Sequence, residues 1–277
     1  MAHLYIVSTP IGNLSDITYR AVEVLGGVDR VLAEDTRRTG ILLRRYEIET
    51  SLVSLHEHNE ASRVGQVLAW LDAGEELALV SDAGTPLVSD PGARLVSAVV
   101  GAGHTVVPVP GASAVLAALV ASGMASEPFT YYGFVPRSGS ERTERLAEVA
   151  TSPHTGVLYE SPERLVALLE ALLERASPER RVSVGRELTK VHEEHRRGTL
   201  AEVAAHYRSA GVRGEVVVVL EGASGVPAEA DEAAVMALAR VLLAGGSRPS
   251  VVAKEVSRRL GVARNRVYEI VQEMKEE

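Results

Sequence analysis

Five short apolar runs rich in β-branched residues, Leu4 to Val7, Val31 to Ala33, Leu52 to Leu55, Leu77 to Val80 and Thr105 to Val109, alternate with stretches of helical spacing. This alternation constrains the fold more than any other feature. A strand that returns parallel to its predecessor needs a crossover long enough for a helix, so the pattern predicts a mainly parallel five-stranded sheet covered by helices. Between the first two runs, Ile17, Ala21, Val24 and Leu25 follow helical spacing, with Ser15 or Asp16 as the cap. The strand ends then carry STPIGNLSD, AEDTRRTG, SLHEHNE, SDAGTP and PVPGASA, so the sharp polar motifs gather at one edge. That carboxyl edge is where open α/β sheets bind ligands, because helix N-termini and free backbone N–H groups converge there.

The central loop follows Leu77 to Val80: Ser81, Asp82, Ala83, Gly84, Thr85 and Pro86, with a helix resuming near Asp90 and Pro91. Gly84 lets a ligand approach the main chain, Asp82 and Thr85 offer an acceptor and a hydroxyl, and Pro86 stiffens the turn. Ordinary βα turn chemistry is the alternative. Pro110 to Ala114 adds small residues and free N–H donors beside that loop, or else simply a Ser-capped helix. Thr9 to Asn13 holds a single glycine where a dinucleotide cradle needs several, and no GxxxxGK[ST] stretch occurs. Dinucleotide binding and P-loop ATP hydrolysis are therefore disfavoured.

The 277 residues, 46% of them hydrophobic, suffice for about two domains and a sizeable core. A net charge of −8 excludes a generally basic surface, so nucleic-acid contact must come from local patches. Arg248 to Tyr268 is such a patch, with six basic residues against one acidic. The absence of cysteine excludes disulfides and thiolate metal sites and fits a cytoplasmic protein. No basic stretch followed by an apolar one opens the chain, so no export signal is expected. The most apolar run, Gly111 to Ala125, is shorter than the ~20 residues a bilayer requires and reads as a buried helix, not a membrane span.

Gly, Ser and Pro between Ser122 and Pro128 mark a boundary. Beyond it, strands at Phe129 to Val135, Gly156 to Glu160, Val182 to Arg186 and Glu215 to Leu220 mix with three helices, which reads as an α/β domain with a partly antiparallel sheet. Residues 1–122 then form the first α/β domain, 123–225 the second, and 226–277 a helical segment. In that segment Val252, Val256 and Leu260 line one helix and Val267, Ile270 and Val271 the next, around a turn at Gly261 and Val262. This has the form of a helix-turn-helix exposing Arg264 and Arg266; a packing appendage is the alternative.

TPIGNLSDIT, AEDTRRTG, LHEHNE, SDAGTPLVSDPG, PGASA, GFVP, YESPERL and RELTKVHEE, in this order, resemble the ribosomal RNA small-subunit methyltransferase I family of the tetrapyrrole-methylase superfamily, over about Leu4 to Gly222. The resemblance implies two α/β domains with S-adenosylmethionine in the cleft between them. It implies transfer of the methyl to the 2′-oxygen of a cytidine in the decoding region of 16S rRNA, within naked RNA or the small subunit. Carried onto matching positions, the cofactor site comprises Pro10, Asp82, Gly84, Thr85, Ser113, Ala114 and, from the second domain, Tyr159. Ala112 stands where relatives often have proline. A homodimer is also implied. A superfamily relative acting on a small molecule such as a porphyrin is the alternative, although Pro10 to Asn13 lacks the glycine-rich first loop usual in those enzymes.

Methyl transfer to a sugar hydroxyl needs an oriented nucleophile and removal of a poorly acidic proton. A strongly anionic pocket at the methyl would favour the ground state. Lys190, placed by the RELTK motif, is the first candidate base, on condition that its pKa is depressed. His56, whose ordinary pKa of about 6.5 already suits a base, and Asp35 are the alternatives. Arg37, Asn59, Glu60 and Glu187 are candidates for orienting RNA; a helix cap at Asp35 and a solvated strand end at Glu187 to Glu194 are the plainer readings. His56 to Glu60 lacks the spacing of a helical metal motif, so no metal is expected.

Overall fold

The computed structural model describes residues 2–223, 232–244, 248–260 and 264–276. The chain divides into two compact units, Met1–Gly222 and Ala223–Glu277.

The first unit opens with β1 (His3–Val7), β2 (Arg30–Ala33), β3 (Ser51–Ser54), β4 (Leu77–Val80) and β5 (Thr105–Val109). All pair in parallel in the order β3-β2-β4-β1-β5. Every residue of β4 is buried, as a central strand covered on both faces requires. The crossovers are α1 (Tyr19–Gly27), α2 (Thr36–Arg45), α3 (Glu60–Asp72) and α4 (Ala93–Gly101). Leu25 and Leu43 from α1 and α2 pack with Val31 and Val80, whereas Leu71 and Leu95 from α3 and α4 pack with Leu32 and Leu79. Alternation along the strands thus sends successive side chains to opposite helical layers.

Two helix starts differ from the sequence expectation. Thr18, not Ser15 or Asp16, caps α1, its side chain accepting from the Ala21 N–H, because Leu14–Asp16 is already a separate 3-10 turn. The helix after the central loop begins at Ala93, since Leu87, Ser89 and Gly92 all take positive φ.

α5 (Ala114–Ser122) follows β5 but packs on the second sheet: Val115, Ala118 and Leu119 cluster with Val157, Val217 and Val219. Only one face is covered, for Leu116 and Val120 are exposed, so the run is not the wholly buried helix its composition implies. The second sheet comprises β6 (Phe129–Phe134), β7 (Thr155–Glu160), β8 (Arg181–Arg186), β9 (Glu194–Thr199) and β10 (Val216–Leu220), ordered β6-β7-β10-β8-β9. β6 and β7 are parallel and the other pairs antiparallel. β9 escaped the sequence reading because EHRRGT is an edge strand without an apolar face. α6 (Gly139–Thr151), α7 (Pro162–Leu173) and α8 (Leu200–Ala210) cover the face opposite α5.

In the second unit, α9 (Glu232–Ala244), α10 (Pro249–Leu260) and α11 (Arg264–Glu276) share a core in which Val235, Ala239, Val252, Val256, Val267 and Ile270 are buried. The expected turn at Gly261 and Val262 and the side chains of Leu260, Arg264 and Arg266 lie outside the described residues. Among the described residues no helix is long and apolar enough to cross a membrane.

Leu158 of β7 is fully buried among Leu165, Leu168, Val184 and Val218. Leu158→Ala should lower unfolding free energy in urea by about 2–5 kcal/mol. Leu116→Ala, on the open face of α5, should change it by no more than about 0.5 kcal/mol.

Candidate active-site cleft

The loops after β1, β4 and β5 are bonded into one platform. Thr9 and Gly84 exchange both backbone hydrogen bonds, at 2.9 and 3.0 Å. The Thr85 Oγ1 lies 3.0 Å from Ser8 Oγ and donates to the Ala112 carbonyl at 3.4 Å. Gly111 lies so close to β1 that a Cβ would stand 3.0 Å from the Ser8 Cβ. Gly84 has φ +82, and a Cβ there would approach Ile11 at 3.4 Å. The glycine therefore serves the left-handed turn and the bridge to Thr9.

Against this platform lies a cleft of about 320 Å³. Asp82, Thr85, Ser113 and Ala114 line it from the first sheet and α5, and Tyr159 lines it from β7, so five expected cofactor residues meet there. Pro10 is buried and borders a small neighbouring hollow with Thr39 and Leu42, where it shapes the loop. Leu188, Val216, Val217 and Phe134 supply an apolar wall. Tyr159 stands edge-on to Tyr131 with ring centroids 5.2 Å apart. Burial raises its phenol pKa further above the ordinary value, which keeps it a hydrogen-bond donor at neutral pH.

The cleft also has a polar side. Glu34, Asp82 and Asp90 converge there beside Arg38. Asp82 accepts the Asp35 N–H at 2.9 Å and faces the Arg38 guanidinium at 3.6 Å. Burial first, and then the Asp82 charge, raises the Glu34 pKa. Burial, reinforced by the Glu34 charge, pushes Asp90 up to about 6 against a weaker lowering by the Ser81 hydroxyl. Asp90 also borders the strained residue Ser89, φ +66, whose Oγ lies 2.7 Å from the Tyr131 Oη. Three carboxyls from two loops are invisible as a group in sequence; only the β4 loop's detour brings Asp90 back beside Asp82 and Glu34.

The other expected residues are largely committed to the scaffold. Asp35 caps α2 and forms a two-point pair with Arg37, at 3.0 and 2.7 Å. The hydrogen bonds to Arg37 hold its carboxyl well below the ordinary range, which makes it a weak base. Arg37 is highly exposed but engaged in the same pair. Asn59 accepts the His56 N–H and donates to the Ser54 carbonyl, while Glu60 accepts the Leu95 N–H and ties α3 to α4. Both side chains are hydrogen-bonded within the scaffold. The His56 imidazole does not line the cleft, and its Nδ1 is enclosed without a hydrogen-bond partner.

Lys190 is not among the residues lining the cleft; it borders a separate open hollow with Gly12, Asn13 and Val191. Its Nζ is 2.7 Å from Glu187 Oε1 and 3.2 Å from Glu215 Oε2. Burial works to lower its pKa, but the hydrogen bonds to the two carboxylates outweigh this and the net shift is upward. A base needs the reverse, so Lys190 is an anchoring ammonium. Glu187, at φ +51, also accepts the Glu215 N–H at 2.9 Å, and its pKa is lowered chiefly by Lys190. It is the hub of the RELTK turn, not a free RNA ligand. A Cβ on Gly12 would lie 2.5 Å from Lys190 Cγ, so the first loop packs directly on this turn.

The raised Lys190 pKa stabilises the fold below its unfolded value, about 10.4, and the contribution is lost as pH rises through the folded pKa. The lowered Glu187 pKa stabilises above about 4.3 and is lost as pH falls through its folded value. Lys190→Met should therefore cost about 1–2 kcal/mol at pH 7 and less at pH 3. Urea unfolding at both pH values checks this; an equal cost at each would mean that packing, not charge, holds the turn.

A family model described as Tetrapyrrole (Corrin/Porphyrin) Methylases matches residues 3–204. The ribosomal RNA small subunit methyltransferase I of Mesorhizobium japonicum is 44% identical, with 99% of this chain and 92% of that protein aligned. Its Synechocystis counterpart is 42% identical over 99% of each chain, and that of Bacillus subtilis 46% identical over 84% and 79%. Among solved structures, a cobalt precorrin-4 methyltransferase has a TM-score of 0.61 at 20% identity, covering 79% of this chain and 94% of that one. The uroporphyrin-III C-methyltransferase of Thermus thermophilus, complexed with S-adenyl homocysteine, has a TM-score of 0.59 at 22% identity, covering 79% and 97%. These likenesses establish the fold. With the full-length relatives and the matching family model, they make the chain a member of the ribosomal RNA small subunit methyltransferase I family, within the tetrapyrrole methylases.

Proposed function

We propose that the protein uses S-adenosylmethionine to methylate the 2′-oxygen of a cytidine in the decoding region of 16S rRNA, in the cytoplasm. The observation that carries this reading is the cleft itself, which joins an apolar wall to a polar side at the carboxyl edge of a parallel sheet. Its donor set fits the cofactor. Ala114, Leu188 and Val217 suit a flat adenine, the Thr85 and Ser113 hydroxyls suit a ribose, and Asp82 with Arg38 suits an α-amino acid. Bound S-adenosylmethionine supplies an electrophilic methyl group on positively charged sulfur.

The chain's own contribution is orientation. The Thr9–Gly84 bridge and the Ser8–Thr85 contact fix the loops under the cleft before any ligand arrives. The Ser89–Tyr131 hydrogen bond ties the long β4 loop to the second sheet, so both sheets hold the reacting groups at one separation. Phe134 and Tyr159 exclude water from the apolar wall.

We expect labelled methyl from S-adenosylmethionine to enter 16S rRNA or small subunits and to be recovered, after nuclease digestion, as 2′-O-methylcytidine. Methylation of a base, or of a porphyrin but no RNA, would refute the reading. We also propose a homodimer, for which exposed Leu116 and Val120 on α5 offer an apolar surface. Light scattering at micromolar concentration should return twice the 29.5 kDa chain mass; a single monomer mass would contradict it.

A further inference from the structure

We propose that Asp90 is the catalytic residue that takes the proton from the attacking hydroxyl during methyl transfer. The inference rests on the 2′-O-methylation reading above and assigns the one group which that reading leaves open.

Geometry sets aside Lys190, Asp35 and Asp82, and the Glu34→Gln variant below tests a further carboxyl of the cleft. Lys190 lies outside the cleft with its ammonium held by two carboxylates, and Asp35 is spent on a helix cap and on Arg37. Asp82 lines the cleft, but its two oxygens face the Asp35 N–H and Arg38. Asp90 lines the same cleft on a loop carried by the central strand. Leu87 at φ +72 and Ser89 at φ +66 hold that loop in a conformation that non-glycine residues adopt only under constraint from their surroundings. The Ser89–Tyr131 hydrogen bond across to the second sheet supplies such a constraint.

The charged and titratable groups around Asp90 favour a proton acceptor. Glu34 from the end of β2 and Asp82 from the end of β4 oppose its ionisation, Tyr131 and Tyr159 bring no charge at neutral pH, and the Ser81 hydroxyl favours the carboxylate. Arg38 and Glu215 line the cleft as well. The outcome, a carboxyl pushed up to about 6, is ionised at pH 7 yet basic enough to share a proton in the transition state. In the step, the ribose oxygen forms a bond to the methyl carbon while the S–CH₃ bond breaks and leaves its electron pair on sulfur. The hydroxyl proton passes to the Asp90 carboxylate and then to solvent. No oxidant or further reactant is needed. A sulfonium in the cleft favours the carboxylate, so the acid limb of the rate falls at or below about pH 6.

The test is single-turnover methyl transfer to small-subunit RNA from pH 5 to 8 with both substrates saturating, in wild type, Asp90→Asn, Asp90→Glu and Glu34→Gln. It is paired with calorimetry of S-adenosylmethionine binding and carbon NMR titration of labelled aspartate carboxyls in the enzyme alone. We expect Asp90→Asn to lose roughly 10²- to 10⁴-fold in rate together with the acid limb, with cofactor affinity changed less than about threefold. Asp90→Glu should recover part of the rate, Glu34→Gln should keep the limb, and one carboxyl titrating near 6 should vanish from the Asp90→Asn spectrum. A near-normal rate with an intact limb in Asp90→Asn would overturn the assignment. So would a loss confined to cofactor affinity, which would make Asp90 a cofactor ligand. Should Asp90→Asn fail to fold, a wild-type spectrum without such a carboxyl, or a limb unchanged in Asp90→Glu, overturns it equally. A wild-type enzyme that transfers methyl but yields no 2′-O-methyl nucleoside would refute the functional reading itself, whatever the carboxyl titration shows.

Discussion

The pair of backbone hydrogen bonds between Thr9 and Gly84 is the joint on which the site depends. β1 and β4 are neighbours in the sheet, so the loops leaving them would diverge if each followed its own helix. Exchanging two hydrogen bonds beyond the last ladder position extends the pairing past the sheet edge. It also satisfies polar groups that the buried platform would otherwise leave bare. Gly84 makes this possible by taking φ +82, and Gly111 makes it compact by lying against Ser8. With Thr85 set against Ser8 and Ala112, three loops from separated parts of the chain become one surface.

From that platform the first loop continues into a second joint. Gly12 packs on Lys190, and Lys190 is held by Glu187 and Glu215, so the start of the chain is clamped to the turn between β8 and β9. Removing Lys190 leaves the partly buried Glu187 and the exposed Glu215 carboxylates close together without a cation, which is why the turn is an electrostatic device as much as a packing one. Together with Ser89–Tyr131, the clamp bonds the two sheets on either side of the cleft. α5 completes the arrangement: it starts at the PGASA loop of one sheet and buries its apolar face on the other.

The concentration of carboxyls on the polar side runs against a simple expectation for sulfonium chemistry, in which a strongly anionic pocket stabilises the ground state. The cleft meets this by withholding charge. Burial and the Asp82 charge shift Glu34 toward its neutral form, burial and the Glu34 charge shift Asp90 the same way, and Asp82 is balanced by Arg38 and a backbone N–H. Burial and the Glu34 charge make Asp90 basic near neutrality, so under the proposed function the shift of Glu34 toward its neutral form limits ground-state attraction while Asp90 supplies the base.

The parallel sheet, its strand positions and the gathering of polar motifs at one edge were legible in the sequence, because buried strands between amphipathic helices leave a periodic signal whatever their neighbours do. Four of the seven expected cofactor residues line the cleft for the same reason, since a loop on a strand's carboxyl end can go only to that edge, and a fifth, Tyr159, reaches it from β7. What the chain could not reveal alone is what each polar side chain finds when it arrives. Asn59 and Glu60 turn inward to backbone N–H and carbonyl groups, Asp35 is consumed by Arg37, and Lys190 meets Glu215, 25 residues away. Asp90 passed as a helix-start residue until the detour through Leu87 and Ser89 set it beside Glu34 and Asp82. Secondary structure follows from local spacing, but a pKa follows from desolvation and from charges brought close in three dimensions, and those only the tertiary structure decides.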